Sequence, residues 1–104
     1  MPHNKIEYSL LLDYYGELLT THQVEILEEY FNEDLSMNEI ADNYSISKSA
    51  VQDLIKRSIS QLENYEKVLN LITKDKQLES IINEMKNEKN EVLDKYINKI
   101  NKIK

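Results

Sequence analysis

The chain of 104 residues has no cysteine, no tryptophan, one glycine and one proline. Without cysteine it can form neither a disulfide bond nor a thiolate-ligated metal site. Gly16 and Pro2 are too few for the tight hairpins and turns of an all-β fold. No apolar run approaches the roughly 18 residues that a membrane-crossing helix needs. Because apolar residues recur instead at helical spacing, the sequence predicts an all-α protein that does not enter a membrane.

Positive charge is scarce and unevenly distributed. Residues 1–70 hold five basic residues against thirteen acidic ones, a balance of −8, whereas residues 71–104 hold eight lysines against six acids, a balance of +2. Arg57 is the only arginine of the chain. Nucleic-acid-binding domains normally show the opposite footprint, a basic patch or stripe on the folded body.

The sequence also lacks the residue sets of common catalytic and metal sites. It has no Ser/His/Asp arrangement and no glycine-rich phosphate loop, so we expect no enzyme activity and no cofactor. His3 and His22 have no partner at ligand spacing, so we expect no metal site. The first residues, 1–5, lack the basic-then-apolar layout of a secretory signal, which favours a cytoplasmic protein.

Two helices are predicted at the start of the chain. An apolar stripe predicts the first over about residues 4–15, with Gly16 ending it in the left-handed conformation that glycine adopts cheaply. Thr20 and Gln23 form a capping box that starts a second helix, ending near Asn32. The stripe of the first helix contains Ile6, Leu10, Leu11, Tyr14 and Leu18, and that of the second Val24, Leu27, Tyr30 and Phe31.

A helix-turn-helix follows. Ser36 and Glu39 repeat the capping box and start a third helix over 37–43. Ala41 is small where two helices would cross at close range, Ile46 fills the turn, and Ser47 caps a fourth helix. The apolar pattern of that fourth helix continues to about residue 72.

The remaining residues predict one long fifth helix. Residues 73–75 are the best break before it, which gives a body of four helices over residues 1–72 and a C-terminal amphipathic helix over 73–104. Its apolar stripe, from Leu78 to Ile103, would be about 40 Å long at 1.5 Å per residue. A charged interruption at Glu88–Lys89 separates a first half that packs on the body from a second half, within 78–103, that pairs with another copy or a partner. The last eight residues are simple enough to fray.

These motifs resemble two known families. The segment from Leu19 to Leu62 looks like the promoter-reading region 4 of bacterial sigma factors. The whole chain, with its opening helix and Tyr65-Glu66, more closely resembles the YlxM-like family of small helix-turn-helix proteins. Genes of that family lie beside genes of the bacterial signal recognition particle. The resemblance implies a regulatory or accessory role in that pathway.

The sequence departs from the sigma pattern at the turn and on the recognition helix. Ser45 stands where the turn usually has glycine, and left-handed geometry costs a non-glycine residue about 1 kcal/mol. The residues that could touch nucleic acid are Lys48, Ser49, Gln52, Lys56 and Arg57. They could equally form a solvated helix face. Asp53 would meet phosphates as a like charge, and specific sites commonly need about six to ten phosphate contacts.

Two further groups of residues can be interpreted either as structural residues or as binding sites. The acidic residues Glu28, Glu29, Glu33 and Asp34 could form a solvated face or a surface that docks a basic partner. The aromatic residues Tyr14, Tyr15, Tyr30 and Tyr44 could form a stacking platform for bases. Tyrosines at helical spacing are more often core residues with a solvated hydroxyl.

Three functions are consistent with the sequence. The favoured one is an accessory protein whose acidic body docks on protein or RNA components of the signal recognition particle. The second is a transcriptional regulator that binds DNA through residues 47–62 and dimerises through its C-terminal helix, which would double the available cations. A sigma-like factor that contacts RNA polymerase ranks third.

Overall fold

The computed structural model describes residues 5–103, which fold into six α-helices joined by short connections. They are α1 (Lys5–Tyr15), α2 (Thr21–Phe31), α3 (Met37–Tyr44), α4 (Lys48–Leu69), α5 (Leu71–Asn87) and α6 (Glu91–Ile103), with a 3₁₀ turn at Gly16–Leu18. The described residues contain no strand, so the predicted all-α fold is confirmed. The predictions for His3 and for the start of the chain lie outside the described residues.

The chain divides into two compact units at Asn70. In the first unit, Met1–Asn70, which is the body of the protein, α4 packs against α1, α2 and α3. The helix α2 also packs against α1 and α3. In the second unit, Leu71–Lys104, which is the C-terminal unit, α5 packs against α6.

The core of the body forms where α4 meets the three helices before it. Each of these four helices contributes buried side chains, and most of them are aliphatic. The buried apolar residues are Tyr8, Leu11, Leu12, Tyr15, Ile26, Leu27, Phe31, Ile40, Ala41, Val51, Ile55, Ile59 and Leu62. Because the recognition helix α4 is part of this core, its outward face is held rigidly in place.

The start of α2 is fastened to α4 by one glutamine. The capping box of Thr20 and Gln23 forms as predicted, with the Gln23 backbone N–H donating to Thr20 Oγ1 over 3.2 Å. The Gln23 side-chain amide also donates to the fully buried Ser58 Oγ over 2.9 Å and to Gln61 Oε1 over 2.7 Å. One side chain thus completes a helix cap and satisfies a buried hydroxyl of another helix.

The inward face of α1 differs from the predicted one. Ile6 and Leu18 are exposed, and the buried residues are Tyr8, Leu11, Leu12 and Tyr15. The ring of Tyr8 stacks on Phe31 with centroids 5.5 Å apart, and the Tyr15 hydroxyl donates to Glu66. Since α1 carries apolar or aromatic residues on more than one side, helical spacing alone could not select the face that α2 and α4 cover.

Gly16 does not end α1 in a left-handed conformation, so that prediction was wrong. No described glycine has a positive φ, and Gly16 instead begins the 3₁₀ turn, closed by the Leu19 N–H donating to the Gly16 carbonyl over 3.0 Å. A Cβ at this position would meet Leu12 and Val24 at ordinary contact distances of 3.4 and 3.9 Å. A side chain would therefore fit at this position, so neither φ nor a close approach requires the glycine.

The predicted long fifth helix is two helices, and it starts earlier than predicted. The helix α4 ends at Leu69 with Asn70 in the left-handed conformation, and residues 73–75 lie inside α5. Lys89 has a φ of 51°, and Asn90 Oδ1 accepts the Val92 N–H over 2.8 Å, which caps α6. With no glycine available, an asparagine and a lysine adopt the left-handed geometry that ends each helix.

Candidate nucleic-acid and partner-binding faces

The turn of the helix-turn-helix is built from three consecutive residues. Ser45 adopts φ 55° and ψ 43°, the left-handed conformation that the comparison with sigma factors predicted. The Ile46 N–H donates to the Ala41 carbonyl over 3.0 Å, and Ser47 Oγ accepts the Ala50 N–H over 3.0 Å. Serine in place of glycine therefore does not change the left-handed conformation at this position, although the serine is strained.

The two helices of the motif pack closely through small and branched residues. Ile40 and Ala41 of α3 are buried, as are Val51 and Ile55 of α4. The capping box of Ser36 and Glu39 forms at the start of α3, as predicted. The predicted helix-turn-helix is thus present, and it points one face of α4 outward.

All five residues predicted to touch nucleic acid lie on that outward face. Lys48, Ser49, Gln52, Lys56 and Arg57 are each exposed. At 100° per residue they spread over about 180° around α4, from Lys48 at one edge to Arg57 at the other. We name this exposed surface, which also includes Asp53, the cationic face.

The guanidinium of the cationic face is already paired. Arg57 Nε lies 3.1 Å from Asp53 Oδ2, one helical turn earlier, with both side chains about two-thirds exposed at 70% and 67%. Guanine is read best by both arms of a free arginine fork. Because Asp53 shares the face, it lowers the net positive charge there and competes with phosphate for Arg57.

The predicted acidic residues lie at the end of α2 and just after it, but they do not act alike. Glu33 is exposed, whereas Asp34 forms an ion pair with Lys5 and Glu28 accepts a hydrogen bond from Asn32. Glu33 and Asp34 are thus exposed, and Glu28 is half-buried.

Glu29, the fourth acidic residue, ties α2 to α3. It accepts a hydrogen bond from the Tyr44 hydroxyl, which together with burial and the charges of Glu29, Glu25 and Glu33 raises the pKa of Tyr44 to about 12. The Glu29 Oε2 atom is buried and has no hydrogen-bond partner among the described residues. Glu29 is therefore held by the fold, while its neighbours are free to contact solvent.

The tyrosines do not form one platform. Tyr15 is buried, while Tyr14, Tyr30 and Tyr44 are half-buried. Tyr14 and Tyr65 lie against Tyr15 with centroids 6.2 and 6.1 Å away, whereas Tyr30 contacts Phe31. Tyr44 meets His22 edge-on at 5.4 Å. The rings are distributed over different contacts within the body, in agreement with the core interpretation.

One surface of the body had no counterpart in the sequence reasoning. A groove runs beside Gly16 between α1 and α2, with Leu12, Leu19 and Val24 among the residues that line it. Acidic residues of both helices border it. The sequence signal that could have indicated it is the single glycine placed between two apolar helices.

Two classes of site can be assessed over the described part of the chain. Within residues 5–103, no three His, Asp or Glu side chains converge as metal ligands. Among the helices in the same range, none is both long and apolar enough to cross a membrane.

Comparison with known proteins places the chain in a family. Residues 3–103 match the family model UPF0122, helix-turn-helix proteins described as YlxM / p13 like. A UPF0122 protein of Clostridium kluyveri is 45% identical over 104 residues, covering 92% of this chain and 94% of the relative. Another from Clostridium novyi is 48% identical over 75 residues, covering 72% and 65%. One from Desulforamulus reducens is 46% identical over 79 residues, covering 72% and 68%. The chain therefore belongs to the UPF0122 family of YlxM / p13-like helix-turn-helix proteins.

Proposed function

We propose that the chain is a regulatory or accessory protein of the signal recognition particle pathway that acts by binding protein or ribonucleoprotein partners. The pathway is suggested by the resemblance to YlxM-like proteins, whose genes lie beside those of the particle. The mode of action rests on one observation, the weakness of the cationic face. A helix-turn-helix body with this charge distribution is better suited to a basic partner than to a polyanion.

The charges of the body support this preference. The cationic face offers Lys48, Lys56 and Arg57 against Asp53, a local balance of +2 on a body that carries −8. Neutralisation of phosphates supplies essentially all of non-specific DNA affinity, and each lost cation removes part of it. Since Arg57 is paired with Asp53, the cations free to hold DNA are fewer still.

The exposed carboxylates give the partner surface. Glu33 and Asp34 are exposed just after α2, where Asp34 also pairs with Lys5, and they lie close in sequence to Glu28 and Glu29. Proteins that bind RNA are rich in lysine and arginine, and opposite charges across an interface speed association and select partners. The protein and RNA components of the particle are therefore the partners to test first.

The deciding experiment compares three ligands over a range of salt concentrations. We expect the protein to bind the purified GTPase protein of the particle with a steep salt dependence, and to retain little random duplex DNA. The particle RNA is the third ligand, alone and in complex with the GTPase protein. Micromolar or tighter binding to duplex DNA at physiological salt would contradict the proposal.

A matched pair of variants assigns the surface. Glu33→Lys with Asp34→Lys should weaken binding to a basic partner by roughly tenfold, since like charges then face each other. Glu63→Lys with Asp42→Lys changes the net charge equally on other exposed positions of the body. If both pairs reduce binding to the same extent, the attraction is only a general effect of net charge.

A DNA-binding regulator is the second candidate, because all five residues predicted to touch nucleic acid are exposed on α4. Two copies joined in a dimer would present two cationic faces, and their half-sites would lie about one helical turn of DNA apart. Protection of a defined promoter sequence at two such half-sites would favour this function over the first.

A further inference from the structure

The C-terminal unit carries an apolar surface that α5 does not cover. Val92, Tyr96 and Ile103 are 63%, 51% and 86% exposed. At 3.6 residues per turn they lie within about 40° of one another around α6. Ile97, on the adjoining side of the helix, is buried, and Leu93 and Ile100 beside it are half-buried. The apolar part of α6 is therefore wider than the side that is buried. We name its exposed part, which consists of Val92, Tyr96 and Ile103, the stripe of α6.

Lysines border this exposed stripe. Lys95, Lys99 and Lys102 are exposed and lie on the side of the stripe away from Ile97. The Lys99 ammonium lies 5.3 Å from the centroid of the Tyr96 ring. Two such stripes facing each other would bring lysines together, which disfavours simple pairing of α6 with α6. The stripe requires a partner that is apolar in its centre and acidic at its border.

The body contains a surface with those two properties. The groove beside Gly16 has an apolar floor that includes Leu12, Leu19 and Val24. Its border carries four carboxylates, those of Asp13, Glu17, Glu25 and Glu28. The groove therefore complements the stripe of α6 in two respects. Its apolar floor matches the apolar stripe, and its four carboxylates are opposite in charge to the three lysines.

We infer that α6 of one copy docks in the acidic groove of a second copy, so that two chains form a closed dimer with two reciprocal contacts. Each contact places Val92, Tyr96 and Ile103 on the apolar floor and the neighbouring lysines against the acidic border. Closed two-fold pairs are the commonest form of self-association, since both grooves are then filled. This inference does not depend on the proposed function, and either can fail without the other.

Charge exchange between two variants tests the inference by analytical ultracentrifugation. The first variant is Lys95→Glu with Lys99→Glu, and the second is Glu25→Lys with Glu28→Lys. Alone, each variant places like charges across both contacts, and we expect the dimer dissociation constant to rise by on the order of tenfold or more. Mixed together, the acidic α6 meets the basic groove and the unchanged α6 meets the unchanged groove, so a heterodimer should form.

A control variant on α5 separates the effect of these contacts from a general effect of net charge. Lys76→Glu with Lys86→Glu alters exposed lysines of α5 and should leave the dimer intact. Recovery on mixing also shows that both variants fold, and a contact within one chain would not respond to mixing. A monomer at all salt concentrations, a dimer insensitive to both variants, or no heterodimer from folded variants would overturn the inference. Binding of monomers to anionic vesicles through the same lysines would also overturn it.

Discussion

The body and the C-terminal unit are both helical, but they bury their apolar residues to different extents. In the body every helix places at least two apolar side chains in the core, and α4 alone buries Val51, Ile55, Ile59 and Leu62. In the C-terminal unit Ile72, Ile82 and Ile97 are buried, while several other large apolar side chains are exposed. The exposed ones are Leu71, Ile81, Val92, Tyr96 and Ile103. The body also exposes Ile6, Leu18, Val68 and Leu69, but it buries thirteen apolar residues, so the C-terminal unit leaves the larger share of its apolar side chains exposed.

The charges of the two regions differ in the same sense. Residues 1–70 carry −8 and residues 71–104 carry +2. The acidic body holds the helix-turn-helix, whereas the lysine-bordered helix α6 holds an exposed apolar stripe. The helix-turn-helix and the positive charge that usually accompanies it in nucleic-acid-binding proteins therefore lie on different parts of this chain.

The largest expected effect comes from truncating one core residue in each region. Leu27→Ala in the body should lower the free energy of unfolding by about 2–5 kcal/mol, because Leu27 is fully buried in the core. Ile97→Ala should instead loosen α5 and α6 while leaving the body folded. Amide hydrogen exchange resolved by residue, together with urea unfolding, distinguishes the two results.

Val68→Ala is the control for this pair, since Val68 is exposed and should change the stability by less than about 0.5 kcal/mol. If Ile97→Ala raised exchange throughout the body as much as Leu27→Ala does, the two units would unfold together. The contrast in core density would then have no thermodynamic consequence.

Helix caps provide a second, smaller comparison. Gln23→Ala removes half of a capping box and leaves the buried Ser58 hydroxyl without its donor, so we expect a loss of about 1–3 kcal/mol. Asn90→Ala removes only the side-chain cap of α6, so the loss should be nearer about 0.5–1 kcal/mol. Thermal and urea unfolding of both variants measure the difference. Equal losses would show that the link from Gln23 to α4 contributes nothing beyond the cap.

Substitutions at the left-handed residues should raise the stability instead of lowering it. Ser45 and Lys89 have φ values of 55° and 51° and end α3 and α5. Replacing either with glycine should stabilise its own region by up to about 1 kcal/mol, since glycine adopts this conformation without strain. Asn43→Gly, inside α3, is the matched control and should destabilise by about 0.5–1 kcal/mol. A loss of stability in Ser45→Gly would mean that the serine side chain makes a contact worth more than the strain.

The sequence predicted best those features that depend on neighbouring residues. Thr20 with Gln23 and Ser36 with Glu39 form their capping boxes, and Ser47 caps α4, because each cap needs only residues within one turn. These caps fix where the helices of the motif begin. Lys48, Gln52 and Lys56 are spaced by four and therefore share one side of α4, while Arg57 lies at the far edge of the cationic face.

Features that depend on distant parts of the chain were predicted less well. The face of α1 was misassigned because the rings of Phe31 and Tyr65, far along the chain, decide which tyrosines become buried. The split between α5 and α6 was indicated by Glu88 and Lys89 but interpreted as a weak point of one helix. The groove beside Gly16 requires two helices to lie side by side, which local spacing does not reveal.

The smallest expected effect on stability concerns the cationic face, and it also sharpens the functional question. Asp53→Ala removes the surface ion pair with Arg57 and should change the free energy of unfolding by only about 0.3–0.5 kcal/mol. It also raises the charge of the cationic face from +2 to +3 and frees the guanidinium. Because the body as a whole stays acidic, we expect binding to random duplex DNA to remain weaker than about micromolar at physiological salt, the weak range of non-specific contacts. Titrations at several salt concentrations measure this, with Asp42→Ala as the matched control. Tight, salt-dependent DNA binding by Asp53→Ala alone would contradict this expectation. It would show that the Asp53 carboxylate prevents DNA binding, and that the negative charge of the rest of the body does not.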